Sequence, residues 1–255
     1  MERRLTDKVA IVTGSTRGIG EGIARRLASE GAAVVISGRN VQDGAQVAKS
    51  VREAGGRATW TPADAGRPED CENLIRSAVD DFGRLDILVN NAADLGVHPF
   101  DQITPEQWNS VFDVNVRGAF LLSRAAIPHM RRQGGGSIVN IGTTMAYKGS
   151  LDRLSYSCSK AALLGLTRFL ARALLRDRIR VNWVTVGWVM TPREIELRDK
   201  THGDGRAYLE ERSRQMPLGR LETEEDIAAG VAYLVSDEAS HVTACELDIS
   251  GGIIL

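Results

Sequence analysis

Two short segments, about 140 residues apart, carry side chains that can perform chemistry together. Tyr156 and Lys160 are four positions apart in a strongly helical pattern, so their side chains share one helix face. A free phenol has a pKa near 10, and a nearby ammonium lowers that pKa because it favours the phenolate. The pair therefore predicts a phenol that donates or accepts a proton during a reaction.

The second segment, Thr13–Gly20, is a glycine-rich turn between a strand-like run and an amphipathic helix. Glycines at positions 14, 18 and 20 permit a tight bend and let backbone N–H groups approach a phosphate closely. The helix N-terminus adds unpaired N–H groups and partial positive charge. Three glycines indicate a phosphate-binding turn when they lie between a strand and a helix, as they do here. The segment therefore predicts a pyrophosphate-binding turn for a dinucleotide.

An alternation of strand and helix patterns positions these two segments. Most strand candidates are continuous apolar runs, as expected when helices cover both faces of a parallel sheet. The alternation predicts the fold class α/β, with residues 1–255 forming a single-domain Rossmann-type doubly wound parallel sheet of about seven strands flanked by helices. The predicted strands are Val9–Thr13, Ala33–Ser37, Arg57–Thr61, Ile87–Asn90, Ser137–Ile141, Arg180–Val186 and Glu246–Ile249. The predicted helices are Ile19–Glu30, Val41–Ala54, Glu69–Phe82, Glu106–Arg132, Leu154–Arg176 and Glu224–Ser236.

The segment 186–223 interrupts this rhythm, because it has no strand pattern and carries mixed charges. It follows the carboxyl end of a strand, where open α/β sheets bind their ligands. We therefore expect a mobile, partly helical flap over a substrate, since long loops in compact domains tend to be functional. A solvated insertion without a role is the alternative interpretation.

Composition and charge argue against several other classes of protein. The chain has 255 residues, is 43% hydrophobic and 25% charged, and has a net charge of -1, so we expect no nucleic-acid or membrane partner. No apolar run approaches the roughly 18 residues that span a bilayer, and the N-terminal residues do not resemble a signal peptide. Three separated cysteines and four scattered histidines predict neither a disulfide framework nor a metal site. We expect a cytoplasmic enzyme with reduced thiols.

The end of the second strand bears on which dinucleotide binds. An acidic residue there would bind the ribose hydroxyls of NAD and repel a 2′-phosphate, but residues 36–40 contain no acid. Arg39 offers a guanidinium fork suited to phosphate, and Arg17 adds a second cation on the same side. The sequence therefore favours NADP(H) over NAD(H).

Together, these motifs resemble those of the short-chain dehydrogenase/reductase family along essentially the whole chain. The glycine spacing is Gly-x-x-x-Gly-x-Gly, and a Tyr-x-x-x-Lys pattern follows downstream. Further matches are Asp64, Asn90–Ala93, Asn115, Ser137–Ile141, Arg180–Asn182 and Gly251–Gly252. The sequence departs from the family at Ala93, Val186 and Ser250, where glycine, proline and aspartate are usual. The resemblance implies hydride transfer between a nicotinamide and a secondary carbon.

The resemblance assigns catalytic roles to four residues. Tyr156 transfers the proton, while Lys160 lowers its pKa and holds the nicotinamide ribose. The family serine that holds the substrate carbonyl lies 13 positions before the tyrosine, which gives Thr143 here, and Thr144 serves if the register differs by one. Threonine keeps the hydroxyl but adds a methyl group that narrows the pocket. Asn115 holds a water that links the lysine to solvent.

The resemblance also implies which residues contact the cofactor, with the Asp64 carboxylate meeting the adenine. The full set is Gly14, Ser15, Thr16, Arg17, Gly18, Ile19, Gly20, Arg39, Asp64, Ala65, Asn91, Ala92, Tyr156, Lys160, Gly187, Val189 and Thr191.

The sequence thus predicts an NADP(H)-dependent oxidoreductase that interconverts a secondary alcohol and a ketone. Candidate small-molecule substrates are 3-oxoacyl thioesters, sugars and small cyclic alcohols. A dinucleotide-sensing binding protein without redox chemistry is one alternative, and an epimerase or dehydratase that recycles its cofactor is another. Family relatives imply a homotetramer or homodimer, and we expect the apolar ending 252–255 to dock on a neighbouring copy.

Overall fold

A sheet of seven parallel strands forms the centre of the computed structural model, which describes residues 3–253. The strands are β1 (Val9–Val12), β2 (Ala33–Gly38), β3 (Arg57–Pro62), β4 (Ile87–Asn90), β5 (Gly136–Ile141), β6 (Ile179–Thr185) and β7 (Glu246–Asp248). They pair in the order β3-β2-β1-β4-β5-β6-β7, so the chain changes direction across the sheet beside β1. The register pairs Val9 with Ala33 on one side of β1 and Ala10 with Ile87 on the other. The predicted fold class is confirmed, while residues 254 and 255 of the apolar ending lie outside the described part of the chain.

Helices cover both faces of this sheet, because each buried strand points apolar side chains to both sides. Along β1, Ala10 and Val12 join one apolar core, whereas Val9 and Ile11 join the other. The helices are α1 (Gly18–Ser29), α2 (Val41–Glu53), α3 (Pro68–Phe82), α4 (Pro105–Phe112), α5 (Ala119–Arg132), α6 (Met145–Lys148), α7 (Leu154–Ala173), α8 (Pro192–His202), α9 (Gly205–Ser213) and α10 (Glu224–Val235). The first core is closed by α1, α2 and α10, and the second by α3, α5 and α7.

The helix predicted over 106–132 is continuous, but it is not α-helical throughout. It begins as α4, where the Thr104 hydroxyl accepts a hydrogen bond from the Gln107 N–H (3.3 Å) and the Gln107 side chain accepts one from the Thr104 N–H (3.0 Å). Residues Asp113–Gly118 then form a wider π-helical turn before α5 starts. Such turns occur frequently at functional sites. The apolar period runs on through this turn, which is why the sequence pattern did not reveal it.

The segment 186–223 contains two capped helices, and its two ends are joined by a β-bridge. Thr191 caps α8 by accepting a hydrogen bond from the Glu194 N–H (3.2 Å), and Asp204 caps α9 in the same way. An isolated parallel bridge joins Val189 to Glu222, so the two ends of the segment are held together. The segment is partly helical, as the sequence indicates, and its action as a flap over a substrate stays a prediction.

Candidate active site

The glycine-rich turn lies between β1 and α1, at the carboxyl edge of the sheet. Gly14 has a φ of 63°, in the left-handed region that favours glycine. A Cβ atom at Gly20 would lie 2.3 Å from the Gly14 carbonyl oxygen, so no side chain fits there. From the neighbouring β4, the Asn91 amide donates hydrogen bonds to the carbonyl oxygens of Thr13 (2.8 Å) and Gly14 (3.1 Å). Asn91 therefore holds the turn from the side of β4.

Ser15 faces the interior, while its neighbours face a cleft. The Ser15 hydroxyl donates a hydrogen bond to the Val12 carbonyl oxygen (2.6 Å) and accepts one from the Ser37 N–H (2.9 Å). It therefore ties the turn to β1 and β2. Arg17 occupies the N-cap position of α1. Within residues 3–253, its side chain forms no capping hydrogen bond, so the first N–H groups of α1 are available to an anion.

A cleft of about 1330 Å³ runs along the carboxyl ends of the strands and is lined by both the glycine-rich turn and the Tyr156–Lys160 segment. Every predicted cofactor residue except Ser15 lines this cleft, and so do both candidate threonines. These lining residues are Gly14, Thr16, Arg17, Gly18, Ile19, Gly20, Arg39, Asp64, Ala65, Asn91, Ala92, Thr143, Thr144, Tyr156, Lys160, Gly187, Val189 and Thr191.

Two arginines mark the end of the cleft beyond β2. Arg17 is exposed, and the Arg39 side chain is 79% exposed, with its guanidinium 4.0 Å from the Asp64 carboxylate. Beside them, the Asn40 side chain caps α2 by accepting a hydrogen bond from the Asp43 N–H (3.2 Å). An exposed ion pair at 4.0 Å contributes little stability, so Arg39 can exchange Asp64 for a stronger acceptor.

Tyr156 and Lys160 lie on one face of α7, and both line the cleft. The Lys160 ammonium is 5.8 Å from the centre of the Tyr156 ring and donates a hydrogen bond to the Ile141 carbonyl oxygen (2.7 Å) at the end of β5. Thr143 follows β5 and is buried, and its hydroxyl accepts a hydrogen bond from the Met145 N–H (3.2 Å). A phenol, an ammonium and a hydroxyl thus meet at one wall of the cleft.

Burial dominates the acid–base properties of this wall. Tyr156 is 8% exposed and Lys160 is 2% exposed. Desolvation raises the pKa of the Tyr156 phenol above its ordinary value, although hydrogen bonding by Thr143 and the charge of Arg153 oppose the rise. Desolvation also lowers the pKa of Lys160 to about 8. The expected depression of the Tyr156 pKa by Lys160 therefore does not arise from the protein groups alone.

Asn115 lies in the π-helical turn, behind the wall of the cleft. Its amide nitrogen donates hydrogen bonds to the Asp94 carbonyl oxygen and to the Ser159 hydroxyl (both 2.9 Å), and its amide oxygen accepts one from the Asp94 N–H (2.8 Å). Ser159 in turn donates to the Tyr156 carbonyl oxygen (2.7 Å), so Asn115 couples the loop after β4 to α7. A cavity of about 10 Å³, near the size of one water molecule, borders Asn115 and Asn90.

The loop after β6 is held against the cleft by Glu222. The Glu222 N–H donates to the Trp188 carbonyl oxygen (3.2 Å), and the Glu222 carbonyl oxygen accepts from the Met190 N–H (3.0 Å). A Cβ atom at Gly187 would lie 2.7 Å from a Glu222 carboxylate oxygen, which explains the glycine. Burial, aided by neighbouring carboxylates, raises the pKa of Glu222 to about 7.

The charges of the 186–223 segment that line the cleft near α8 are largely paired with each other. Glu194 accepts hydrogen bonds from the Trp188 indole N–H (2.8 Å) and from the Arg198 guanidinium (2.6 and 2.8 Å). The Arg198 guanidinium also lies 5.4 Å from the centre of the Trp188 ring and 5.8 Å from that of Tyr208. These contacts join α8 to α9 and to the loop after β6.

Sequence reasoning missed Arg153, which also lines the cleft. Its position three residues before Tyr156 is the signal that could have found it, since residues at this spacing are neighbours around a helix.

Residues 3–253 contain no group of three or more histidine, cysteine, aspartate or glutamate side chains arranged to hold a metal ion. Over the same span, none of the helices is both long enough and apolar enough to cross a membrane.

Three features of the protein itself fit a dinucleotide. The glycine-rich turn lets the backbone approach a pyrophosphate, and the N-terminus of α1 presents unpaired N–H groups to it. The cleft, at about 1330 Å³, exceeds the roughly 300–1,000 Å³ of ordinary ligand pockets. It therefore has room for a large cofactor and a second small molecule together.

Known proteins resemble this chain over nearly its whole length. The family model described as enoyl-(acyl carrier protein) reductase matches residues 14–254. The chain is 36% identical to the short-chain reductase protein NovJ of Streptomyces niveus, covering 96% of this chain and 94% of NovJ. It is 39% identical to dehydrogenase/reductase SDR family member 4 of Homo sapiens, covering 99% of this chain and 90% of that protein.

Solved structures share the fold closely. The L-sorbose reductase of Gluconobacter frateurii, complexed with NADPH and L-sorbose, has a TM-score of 0.94 at 32% identity, covering 100% of this chain and 99% of that one. A 7α-hydroxysteroid dehydrogenase, complexed with NADH and 7-oxo glycochenodeoxycholic acid, has a TM-score of 0.89 at 32% identity, covering 98% and 96%. These likenesses support a nicotinamide dinucleotide as the cofactor. The chain belongs to the short-chain dehydrogenase/reductase family.

Proposed function

We propose that the protein is an NADP(H)-dependent oxidoreductase that interconverts a secondary alcohol and a ketone, with Tyr156 as the proton donor and acceptor. The observation that carries this proposal is the meeting of Tyr156, Lys160 and Thr143 at one wall of the cleft that also contains the glycine-rich turn. When bound, the nicotinamide supplies or accepts the hydride, and the side chains of the protein manage the proton.

In reduction, the phenol of Tyr156 donates its proton to the carbonyl oxygen. The phenol is protonated at neutral pH, but burial raises its pKa and makes it a weaker acid, so efficient donation needs a nearby positive charge to lower that pKa. The Thr143 hydroxyl donates a second hydrogen bond to the same oxygen and orients the carbonyl. In oxidation, the phenol first loses its proton, and the positive charge of Lys160 stabilises the phenolate.

Asn115 acts as a positioning residue in this proposal. It holds the hydroxyl of Ser159, which in turn bonds to the backbone of Tyr156, so the hydrogen-bond chain fixes α7 where the phenol is used. The small cavity that Asn115 shares with Asn90 supports the relay-water role that the family resemblance assigns to Asn115. Within residues 3–253, the Asn90 side-chain oxygen has no hydrogen-bond partner, which supplies an acceptor in that cavity.

The preference for NADP(H) rests on Arg39 and Arg17. A 2′-phosphate offers Arg39 two strong acceptors in place of the Asp64 carboxylate at 4.0 Å. The exposed Arg17 adds positive charge on the same side of the cleft. The similar structures hold NADPH in one case and NADH in the other, so the fold is compatible with both and the argument depends on these two cations.

Substrate turnover and cofactor titration test the proposal together. Tyr156→Phe should abolish reduction across a panel of 3-oxoacyl thioesters, ketoses and cyclic ketones, while its Kd for NADPH, measured by fluorescence, stays unchanged. In the same titrations, Arg39→Gln should weaken NADPH binding about tenfold and leave NADH binding unaffected. Tyr233→Phe, on an exposed face of α10, is the matched control and should keep full activity.

Retained turnover in Tyr156→Phe would reject this residue as the proton donor. A wild-type protein that binds NADPH tightly but reduces nothing in the panel would favour the dinucleotide-sensing alternative. Equal weakening of NADPH and NADH by Arg39→Gln would remove the argument for a 2′-phosphate contact.

A further inference from the structure

Arg153 is a cation that lines the cleft and has no side-chain partner among residues 3–253. It ends the short 3₁₀ turn Leu151–Arg153 and occupies the N-cap position of α7, three residues before Tyr156. The residue is half-buried and lines the cleft. Among the described residues, no acceptor forms a hydrogen bond or an ion pair with its guanidinium.

Three of the carboxylates that line the same cleft accept hydrogen bonds from groups other than Arg153. Asp94 accepts a hydrogen bond from the Gly96 N–H (3.0 Å), and Asp152 accepts one from a neighbouring serine hydroxyl. Glu194 accepts one from the Trp188 indole and two from the Arg198 guanidinium. Arg193 also lines the cleft but is exposed, so water satisfies it. Arg153 therefore combines partial burial with unused donors.

Physical chemistry indicates what this guanidinium binds. Arginine keeps its charge at all accessible pH values and carries five donors in a planar fork that matches a carboxylate with two parallel hydrogen bonds. A half-buried charge that pairs with nothing is unfavourable, so an acceptor from a ligand restores the lost hydration. The charge of Arg153 also lowers the pKa of Tyr156, which means that the guanidinium lies within electrostatic reach of the phenol. Because Arg153 precedes Tyr156 by about one helical turn and both residues line the cleft, a ligand group on Arg153 lies on the same side of the cleft as the phenol.

We propose that Arg153 binds a carboxylate of the substrate, so that the protein acts on oxo acids and hydroxy acids in preference to neutral ketones and alcohols. The inference rests on the proposed function, because it takes the substrate oxygen to lie at Tyr156. One half-buried cation matches the single charge of a carboxylate better than the nearly two charges of a phosphate ester. Arg153 is in this account a specificity-determining residue, and the proton transfer belongs to Tyr156.

Matched ketone pairs that differ only in charge test this assignment. The pairs are 2-oxobutanoate and 2-oxobutanamide, 3-oxobutanoate and 3-oxobutanamide, and 4-oxopentanoate and 4-oxopentanamide, each followed by NADPH consumption. The wild-type protein should prefer the carboxylate in at least one pair, and that pair reports the spacing between the carbonyl and the guanidinium. Arg153→Gln should lower kcat/KM for that carboxylate by about 10- to 100-fold, mainly through KM, and leave the amide unchanged.

Two further variants and a binding assay make the result specific. Arg153→Lys keeps the charge but loses the fork, so it should restore part of the preference. Arg176→Gln, at an exposed site far along the chain, should change nothing. Butanoate, which has no carbonyl to reduce, should raise the melting temperature of the NADPH-bound wild type but not that of Arg153→Gln, whereas butanamide should affect neither.

The inference is overturned if the wild type has equal kcat/KM for acids and amides, or if Arg153→Gln lowers kcat/KM by the same factor for both. Neutral ketones reduced well with no preference for acids would leave the proposed function standing and remove the carboxylate site. If nothing is reduced, the proposed function fails, and the butanoate assay alone decides whether Arg153 binds an anion.

Discussion

Replacing Lys160 by methionine is expected to stabilise the fold and to destroy activity. Lys160 is 2% exposed, and its ammonium makes one hydrogen bond, to the Ile141 carbonyl oxygen at 2.7 Å. No carboxylate of the described residues 3–253 pairs with it. Burial lowers its pKa from 10.5 to about 8, so the charged form opposes folding at neutral pH.

The two pKa values set both the magnitude and the pH range of this effect. One pKa unit corresponds to about 1.36 kcal/mol, so the change from 10.5 to about 8 amounts to about 3 kcal/mol of destabilisation at neutral pH. Between these values the unfolded state binds more protons than the native state, so wild-type stability rises as the pH increases from 8 to 10.5. Lys160→Met removes the buried charge and loses one hydrogen bond of about 1 kcal/mol. The net gain should be about 2 kcal/mol below pH 8 and should reach zero before pH 10.5, above which only the lost hydrogen bond remains.

Urea unfolding followed by circular dichroism, at a series of pH values on both sides of this range, measures the difference. Lys200→Met, at an exposed position on α8, is the matched control and should show no pH-dependent gain. Turnover of Lys160→Met should fall by about 100-fold or more, because the phenolate of Tyr156 loses its nearby positive charge. A variant less stable than the wild type at pH 7, or a difference that does not change with pH, would refute the interpretation of Lys160 as an uncompensated buried charge.

Glu222→Gln should also be stabilising, in a different pH range. The native pKa of Glu222 is about 7, above the ordinary value of 4.5, so the native state binds more protons between these pH values and wild-type stability falls as the pH rises through them. Thermal unfolding above pH 7 should therefore show the variant to be more stable by about 2 to 3 kcal/mol. Equal stabilities of the variant and the wild type above pH 7 would contradict the burial argument. We also expect a homodimer or homotetramer, because Phe120 on α5 and Phe169 on α7 are 42% and 76% exposed. Sedimentation velocity at micromolar concentration measures this, and a monomer would exclude it.

Much of the fold could be predicted because its signals are local. The strand predicted at Ile87–Asn90 has the bounds of β4, since a short apolar run flanked by polar residues needs no distant information. The π-helical turn at Asp113–Gly118 could not be predicted in the same way. That turn is stabilised by the hydrogen bonds of Asn115 to Asp94 and Ser159, and these partners are distant in sequence or brought close only by folding.

For the candidate site too, the sequence predicts the features that depend on short-range patterns but not those that depend on the folded structure. The glycine-rich turn and the spacing of Tyr156 and Lys160 are short-range patterns, so they could be read directly from the sequence. The inward orientation of Ser15 depends on acceptors and donors in β1 and β2, which only the folded sheet supplies. The raised pKa of Tyr156 and the unused donors of Arg153 depend on burial and on which neighbouring carboxylates are already engaged. These properties arise only when the chain folds and forms the cleft, so short sequence patterns do not predict them.

The energetics of Lys160 bear on the choice between an enzyme and a dinucleotide-sensing protein. A buried ammonium that opposes folding by about 3 kcal/mol removes a large share of the 5–15 kcal/mol that typically stabilises a protein. A binding protein could hold a ribose with neutral hydrogen-bond donors, which cost less to bury. The proton transfer that we propose for Tyr156 is different, because a nearby positive charge is needed to stabilise its phenolate. Among residues 3–253 no carboxylate pairs with this ammonium, and its location 5.8 Å from the centre of the phenol ring therefore fits the proposed catalysis better than binding alone.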